Sequence, residues 1–280
     1  MAVIVAHCGA GSTEDVLDAS QRAVERGLRI LRDGGGALEA VVEAVVLMED
    51  DDRLNAGTGS KLNLDGKVEM DASVMDSNMN CGAVAAIYDL KNPILVARKV
   101  LDGPHVILSG SGAVRYAREA GFRRFDPITP KALKALDEMK RRLAEGDLPA
   151  WALRWWDRKP GDTVGAVARD DQGRMAAANS TGGISIKLPG RVGDTPLIGC
   201  GIYAGPGAAV TATGVGEEII KRVLCKEVYD AIVSGTRPQE ACEDGIASFS
   251  EEVPVGIVAV GLEGWGSACN TRMAWSHGEM

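Results

Sequence analysis

The sequence predicts an α+β fold of stacked sheets covered by helices. Strand-like runs fall into two groups with amphipathic stretches between them, and no regular strand-helix alternation runs through the chain. The 280 residues are 45% apolar, enough for a substantial core, and include 35 glycines that punctuate the strand-like runs. The length fits one large domain or two small ones, and we read 1–280 as one domain.

The first element, residues 2–6 (AVIVA), is a short apolar run closed by His7-Cys8-Gly9-Ala10-Gly11, which reads as a buried strand entering a tight turn. Two helices follow. In the second, Leu38, Val41, Val42, Val45 and Val46 recur at helical spacing and lay one apolar stripe against a core. Next come Asn55-Ala56-Gly57-Thr58-Gly59-Ser60, a turn at Leu64-Asp65-Gly66-Lys67, strands at 68–75 and 81–88, and helices near 93–102 and 111–120. Thr129-Pro130 supplies an N-cap and a first-turn proline for a charged helix over 131–145 that stops at Gly146. Residues 146–162 read as a linker with two prolines and three tryptophans, draped over the body.

Thr163–Asp170 and Arg174–Thr181 then form two strand-like runs around Asp171-Gln172-Gly173, the layout of an antiparallel hairpin. Pairing centred on residue 172 sets Thr163 opposite Thr181, with about 4.5–5.5 Å between opposed Cβ atoms, so two hydroxyls meet at the open end. A one-residue change in the turn would substitute Ser180. The chain continues with a strand at 206–213, helices over 215–234 and 237–250, and strands near 255–261 and 267–273.

Charge and composition exclude several kinds of function. With 31 Lys plus Arg against 39 Asp plus Glu, the net charge is −8, and no basic run offers a phosphate-neutralising surface for nucleic acid or anionic membrane. No apolar stretch approaches the roughly 20 residues that span a bilayer, and MAVIVAHCGAGS lacks the layout of a signal peptide, so a cytoplasmic location is expected. Cys8, Cys81, Cys200, Cys225, Cys242 and Cys269 are scattered and read as reduced and mostly buried; the sequon at Asn179 then meets no glycosylation machinery. With only His7, His105 and His277, no catalytic metal set at ligand spacing is present, and a His7–Cys8 dyad fails because neighbours in a strand face opposite ways. His7 reads as a structural hydrogen-bonding residue. Neither a GxSxG elbow, a Walker A sequence nor a complete GxGxxG occurs.

What remains is a dense polar set around the second block of strands. The run GDTVGAVARDDQGRMAAANSTGGISIKLPGRVGDTPLIGCGIYA, followed by TATGVGE, closely resembles the plant-type asparaginase/isoaspartyl peptidase branch of the N-terminal-nucleophile hydrolases. HCGAGS, LNAGTGSKLNLDGKVEMDASVM at 54–75 and CNTRM at 269–273 also match, so the resemblance covers nearly the whole chain and is weakest across 123–160.

The resemblance implies a four-layer αββα sandwich and self-cleavage between Asp162 and Thr163 into subunits 1–162 and 163–280. It makes Thr163 the nucleophile, Thr181 its hydrogen-bonding companion, and Thr213 with the Gly214 N–H the oxyanion hole. Arg191 would anchor the substrate α-carboxylate, Asp194 the α-ammonium, and Asn55 would line the site. Also implied are a structural Na⁺ on backbone carbonyls of the loop near 48–57, no catalytic metal, and a homodimer of cleaved pairs. The chemistry explains the cut: a threonine hydroxyl needs a base, and a free α-amine with a reference pKa of about 7.7–8.0 supplies one where an amide cannot.

Two departures stand out: Cys8 where the family usually has glycine, which would crowd the turn, and an Asp162-Thr163 junction like that of glycosylasparaginases and threonine aspartases. Thr181-Gly182-Gly183 favours the asparaginase branch over glycosylasparaginase, and Asp194 argues against threonine aspartase. The substrates expected are L-asparagine and β-aspartyl dipeptides. A reading from another class is an uncleaved relative that binds without reacting.

Overall fold

The structure is a computed structural model that describes residues 1–146 and 163–280. The expectations for the linker and for Asp162 lie outside those residues. In chain order the first part holds β1 (Val3–Ala10), α1 (Leu17–Arg32), α2 (Ala37–Glu49), β2 (Met70–Asp76), β3 (Cys81–Ile87), α3 (Pro93–Leu101), β4 (Ile107–Ser109), α4 (Gly110–Glu119) and α5 (Pro130–Ala144). The second holds β5 (Val164–Arg169), β6 (Met175–Thr181), β7 (Ile202–Gly205), β8 (Ala208–Gly214), α6 (Gly216–Arg222), α7 (Leu224–Val233), α8 (Pro238–Ala247), β9 (Val255–Gly261), β10 (Gly264–Cys269) and β11 (Met273–Glu279).

The strands build two sheets flanked by helices. Among the described residues one sheet has seven strands in the order β11-β1-β5-β6-β2-β3-β4 and the other four in the order β10-β9-β8-β7. All pairings are antiparallel except β3 with β4. Strand periodicity accounts for how the sheets are covered. Along β1, Ile4 and Ala6 join the core under α1, α2 and α3, whereas Val3 and Val5 face the second sheet with Val167, Ala177, Ala209 and Val258. Because both faces of β1 are buried, its sequence is a continuous apolar run with no polar alternation. On the far side of the smaller sheet, Val210, Ala212 and Ile257 pack against Leu224 and Val228 of α7 and Cys242 of α8.

Several boundaries differ from the sequence expectation. β1 continues through His7-Cys8 to Ala10, with a register shift between His7 and Ala10, instead of turning after residue 6. Cys8 is fully buried in the helix-side core, with its thiol directed to the Val16 carbonyl at 3.6 Å. The stretch 206–213 is the second arm of a hairpin whose first arm, β7, has four residues and is too short to register as a period. The stretch 267–273 divides between two sheets because Asn270 turns the chain: its side chain accepts from the Val255 N–H at 2.9 Å and donates to the Val253 carbonyl at 2.8 Å. The helix expected over 215–234 breaks at Val223, whose φ is 53°, and there the Lys226 N–H bonds the Gly199 carbonyl at 2.9 Å. Where expected, Thr129 caps α5 through the Ala132 N–H at 3.1 Å. None of the six cysteines forms a disulfide and four of them are buried, and no helix among the described residues is long and apolar enough to cross a membrane.

Candidate active site

The β5–β6 hairpin pairs Val164 with Ser180 and Arg169 with Met175, the register centred on residue 172. Continued by one residue, it sets Thr163 beside Thr181, and both are 4% exposed. Thr181 is also the register partner of Asp71 on β2, and its hydroxyl oxygen accepts the Gly183 N–H at 3.0 Å. On the other sheet, Thr213 is fully buried and its hydroxyl oxygen accepts the Ala10 N–H at 3.0 Å. With that lone pair engaged, its O–H is free to donate. Gly214 follows with φ at 142° and its Cα turned onto the Pro254 carbonyl, a place no side chain could occupy.

A residue the sequence offered only as part of a sequon ties the two sheets together here. The Asn179 amide donates to the carbonyls of Gly201 and Ala212, both at 3.0 Å, and so fixes the strand end carrying Thr181 against the one carrying Thr213. His7 pairs with Gly165, and its ring covers the space where a side chain at Gly165 would stand. Neither ring nitrogen has a well-formed hydrogen bond. Burial pushes its pKa down to about 3, only partly offset by the Thr163 main chain, so the imidazole is neutral and a weak base.

Arg191 and Asp194 converge on one spot. A Cβ at Gly216 would stand 2.8 Å from Asp194 Oδ1 and 3.0 Å from Arg191 Nη2. Arg191 is held by Glu217 through two bonds, Nε to Oε1 at 3.0 Å and Nη2 to Oε2 at 2.9 Å. Asp194 is buried with Oδ2 unpartnered, and burial raises its pKa to about 7 against the opposing pull of Arg191. A guanidinium and a carboxyl with a spare oxygen, side by side, suit a ligand group carrying both charges.

Asn55 is committed on both ends: its side-chain oxygen accepts the Lys61 N–H at 2.9 Å and its amide donates to the Gly183 carbonyl at 2.6 Å. It holds the Gly182-Gly183 turn that follows Thr181. Behind that turn Ser180 donates to Glu49 at 2.6 Å, and burial raises the Glu49 pKa to about 8, so the acid is mostly protonated at neutral pH. A cavity of about 180 Å³ beside Asn55, lined by Lys61, Leu62, Leu136, Met139 and Ile186, includes none of the three threonines.

In the loop near 48–57 the carbonyl oxygen of Glu49 is turned toward Gly57, and that of Leu54 toward Gly59. Among the described residues no group of three His, Cys, Asp or Glu could hold a metal ion.

The sequence singled out Thr163, Thr181, Thr213, Gly214, Arg191, Asp194 and Asn55, and the fold gathers them at the sheet ends and the loops that follow. It missed Asn179, Gly216, Glu217, Glu49 and Asp71, whose partners are set by the tertiary fold.

Comparison with known proteins identifies the family. The family model described as Asparaginase matches residues 1–278. The plant-type L-asparaginase of Thermococcus kodakarensis is 43% identical over 290 residues, covering 97% of this chain and 94% of the relative. That of Pyrococcus abyssi is 41% identical over 97% of this chain and 94% of its own. The isoaspartyl peptidase/L-asparaginase of Danio rerio is 41% identical, covering 98% of this chain and 91% of the relative. The chain belongs to the asparaginase family of hydrolases represented by the plant-type asparaginases and isoaspartyl peptidases.

Proposed function

We propose that the protein hydrolyses L-asparagine to L-aspartate and ammonia, and β-aspartyl dipeptides to aspartate and an amino acid, through an acyl-enzyme on Thr163. The observation that carries this reading is the hairpin register that sets Thr163 beside Thr181. The names of the relatives support the substrate class.

The active species arises by self-cleavage. The Thr163 hydroxyl attacks the Asp162 carbonyl, the amide becomes an ester, and water releases Thr163 as a new N-terminus, leaving 1–162 and 163–280 together as an αββα sandwich. In turnover the Thr163 amine takes the proton of its own hydroxyl, and the oxygen attacks the side-chain carbonyl of the substrate. Arg191 receives the α-carboxylate, exchanging part of its contact with Glu217, and Asp194 receives the α-ammonium on its spare oxygen. The Thr213 O–H and the Gly214 N–H stabilise the tetrahedral oxyanion. Collapse passes the proton to the leaving amine, and water, activated by the same Thr163 amine, hydrolyses the ester. Asn55 holds the Gly182-Gly183 wall.

By the same reading a Na⁺ sits on the carbonyls of the loop near 48–57, two cleaved pairs form a homodimer, and the protein works in the cytoplasm. The test is ammonia release from L-asparagine and aspartate release from a β-aspartyl dipeptide by purified protein. Both are expected, and both vanish in Thr163→Ala; full turnover by that variant would refute Thr163 as the nucleophile, whereas no turnover by the parent would leave an uncleaved relative that binds without reacting.

A further inference from the structure

Arg191 and Asp194 stand on the turn Gly190-Arg191-Val192-Gly193-Asp194, which by itself offers little to hold them at a fixed spacing. The turn is tied down at two points on the segment that begins β2. The Gly190 N–H donates to the Glu69 carboxylate, at 3.0 and 3.2 Å to its two oxygens. The Gly193 N–H donates to Asp71 Oδ2 at 3.3 Å. Gly193 is the residue against which the guanidinium folds: a Cβ there would stand 2.9 Å from Arg191 Nη1.

Asp71 is fully buried and is itself fixed, its other oxygen accepting the Ala86 N–H at 2.8 Å. Lys187, 3% exposed, offsets part of the cost of burying the Asp71 charge; its ammonium donates to the Glu69 carbonyl at 2.6 Å and lies against Gly183. A buried carboxylate and a buried ammonium are costly to keep, and removing one leaves the other uncompensated. They lie between the two halves of the site, since Asp71 is also the strand partner of Thr181.

We propose that Asp71, compensated by Lys187 and assisted by Glu69, is the positioning residue that sets the spacing between the head-group anchors Arg191 and Asp194 and the nucleophile end of the hairpin. None of the three touches substrate in this arrangement. They act through the main chain of the 190–193 turn. The inference rests on the functional reading above, which gives Arg191 and Asp194 a zwitterionic head group to hold.

The separation of two reactions tests it. Turnover of free asparagine needs the head-group anchors, whereas self-cleavage at Thr163 presents no free ammonium or α-carboxylate and needs only the nucleophile and oxyanion groups. Asp71→Asn keeps the shape but puts an amide against one of two backbone N–H donors. It is expected to raise KM for L-asparagine about tenfold while kcat and the self-cleavage rate stay within about threefold of the parent. Glu69→Ala, at a partly exposed position where folding is not at stake, is expected to raise KM about threefold by freeing Gly190, again without slowing self-cleavage.

Unchanged KM in both variants would overturn the proposal. So would parallel loss of kcat and self-cleavage with the rise in KM, which would mark Asp71 as a general structural residue; should Asp71→Asn fail to fold, Glu69→Ala alone decides. Absence of turnover in the parent protein would instead overturn the functional reading, and is seen before any variant is made.

Discussion

Thr213 illustrates how a single hydroxyl acquires a direction. Its oxygen accepts from the Ala10 N–H, which leaves its own O–H available to another acceptor; in the proposed mechanism that acceptor is the oxyanion over Gly214. Thr213→Val is expected to lower kcat about 10²–10³-fold with a small change in KM, the usual effect of removing one such donor, read from steady-state rates. A loss confined to KM would place Thr213 in ground-state binding. Asp194 carries a pH signature. Burial raises its carboxyl to about 7, and only the ionised form attracts an ammonium, so KM for L-asparagine should rise as pH falls below about 7. A KM profile flat from pH 5.5 to 8 would contradict that role. At this scale the spacing of the hairpin runs yields the register that sets Thr163 beside Thr181, while Arg191 and Asp194 were singled out through the resemblance. The sequence said nothing of the pairing of Arg191 with Glu217, 26 residues on, because that depends on where α6 starts relative to the 190–194 turn. Asn179 was hidden for a similar reason: its partners at Gly201 and Ala212 belong to the other side of the interior.

Among the elements, the clearest mismatch of local preference and fold is Val223. A β-branched residue at φ 53° costs about 1–2 kcal/mol relative to its favoured regions, and the position is 44% exposed, so little packing is at stake. Val223→Asn should raise Tm by about 2–4 °C, measured by thermal melting; a fall would mean that the side chain holds the α6–α7 junction. Helical periodicity runs across this break, which is why the sequence suggests one helix where there are two. Small elements were equally hard to see: β7 and β4 exist through pairing with β8 and β3, and a run of three or four residues carries no period of its own. The β5–β6 hairpin was legible because its turn residues and both flanking runs agree. The loop near 48–57 has its own test. If its carbonyls hold Na⁺, replacing sodium chloride by choline chloride at equal ionic strength lowers Tm, whereas equal melting in the two salts would remove the ion from the account.

At the scale of the whole molecule, two buried ionisable groups tilt stability in opposite directions. His7 is pushed down to about 3, so the folded protein binds fewer protons there than the unfolded chain does; stability is full above pH 6.5 and declines as pH falls toward 3. Glu49 is raised to about 8, so the folded protein holds an extra proton; stability declines as pH rises from 4.5 and levels off above 8. Between pH 7 and 8.5, Glu49 is the group of the two still titrating. Glu49→Gln, which keeps an oxygen for Ser180, should flatten the decline in urea-unfolding stability over that interval, and an unaltered slope would show that Glu49 does not cause it. That stacked sheets are covered by helices was legible in the sequence; which strands share a sheet was not, since β5, β6 and β11 of the second group join β1 to β4. Nor was the packing of the sheets, because residues such as Val3 and Ile4 look alike in sequence and differ only in which face they cover.

These scales meet in the creation of one amine. The intact mass of the purified protein, followed through prolonged incubation near neutral pH, asks whether the chain breaks between Asp162 and Thr163. Two fragments, 1–162 and 163–280, are expected to appear together with asparagine hydrolysis and to be absent in Thr163→Ala. A parent chain that stays at full length while hydrolysing asparagine would contradict this, since Thr163 would then be working without the amine on which the mechanism depends.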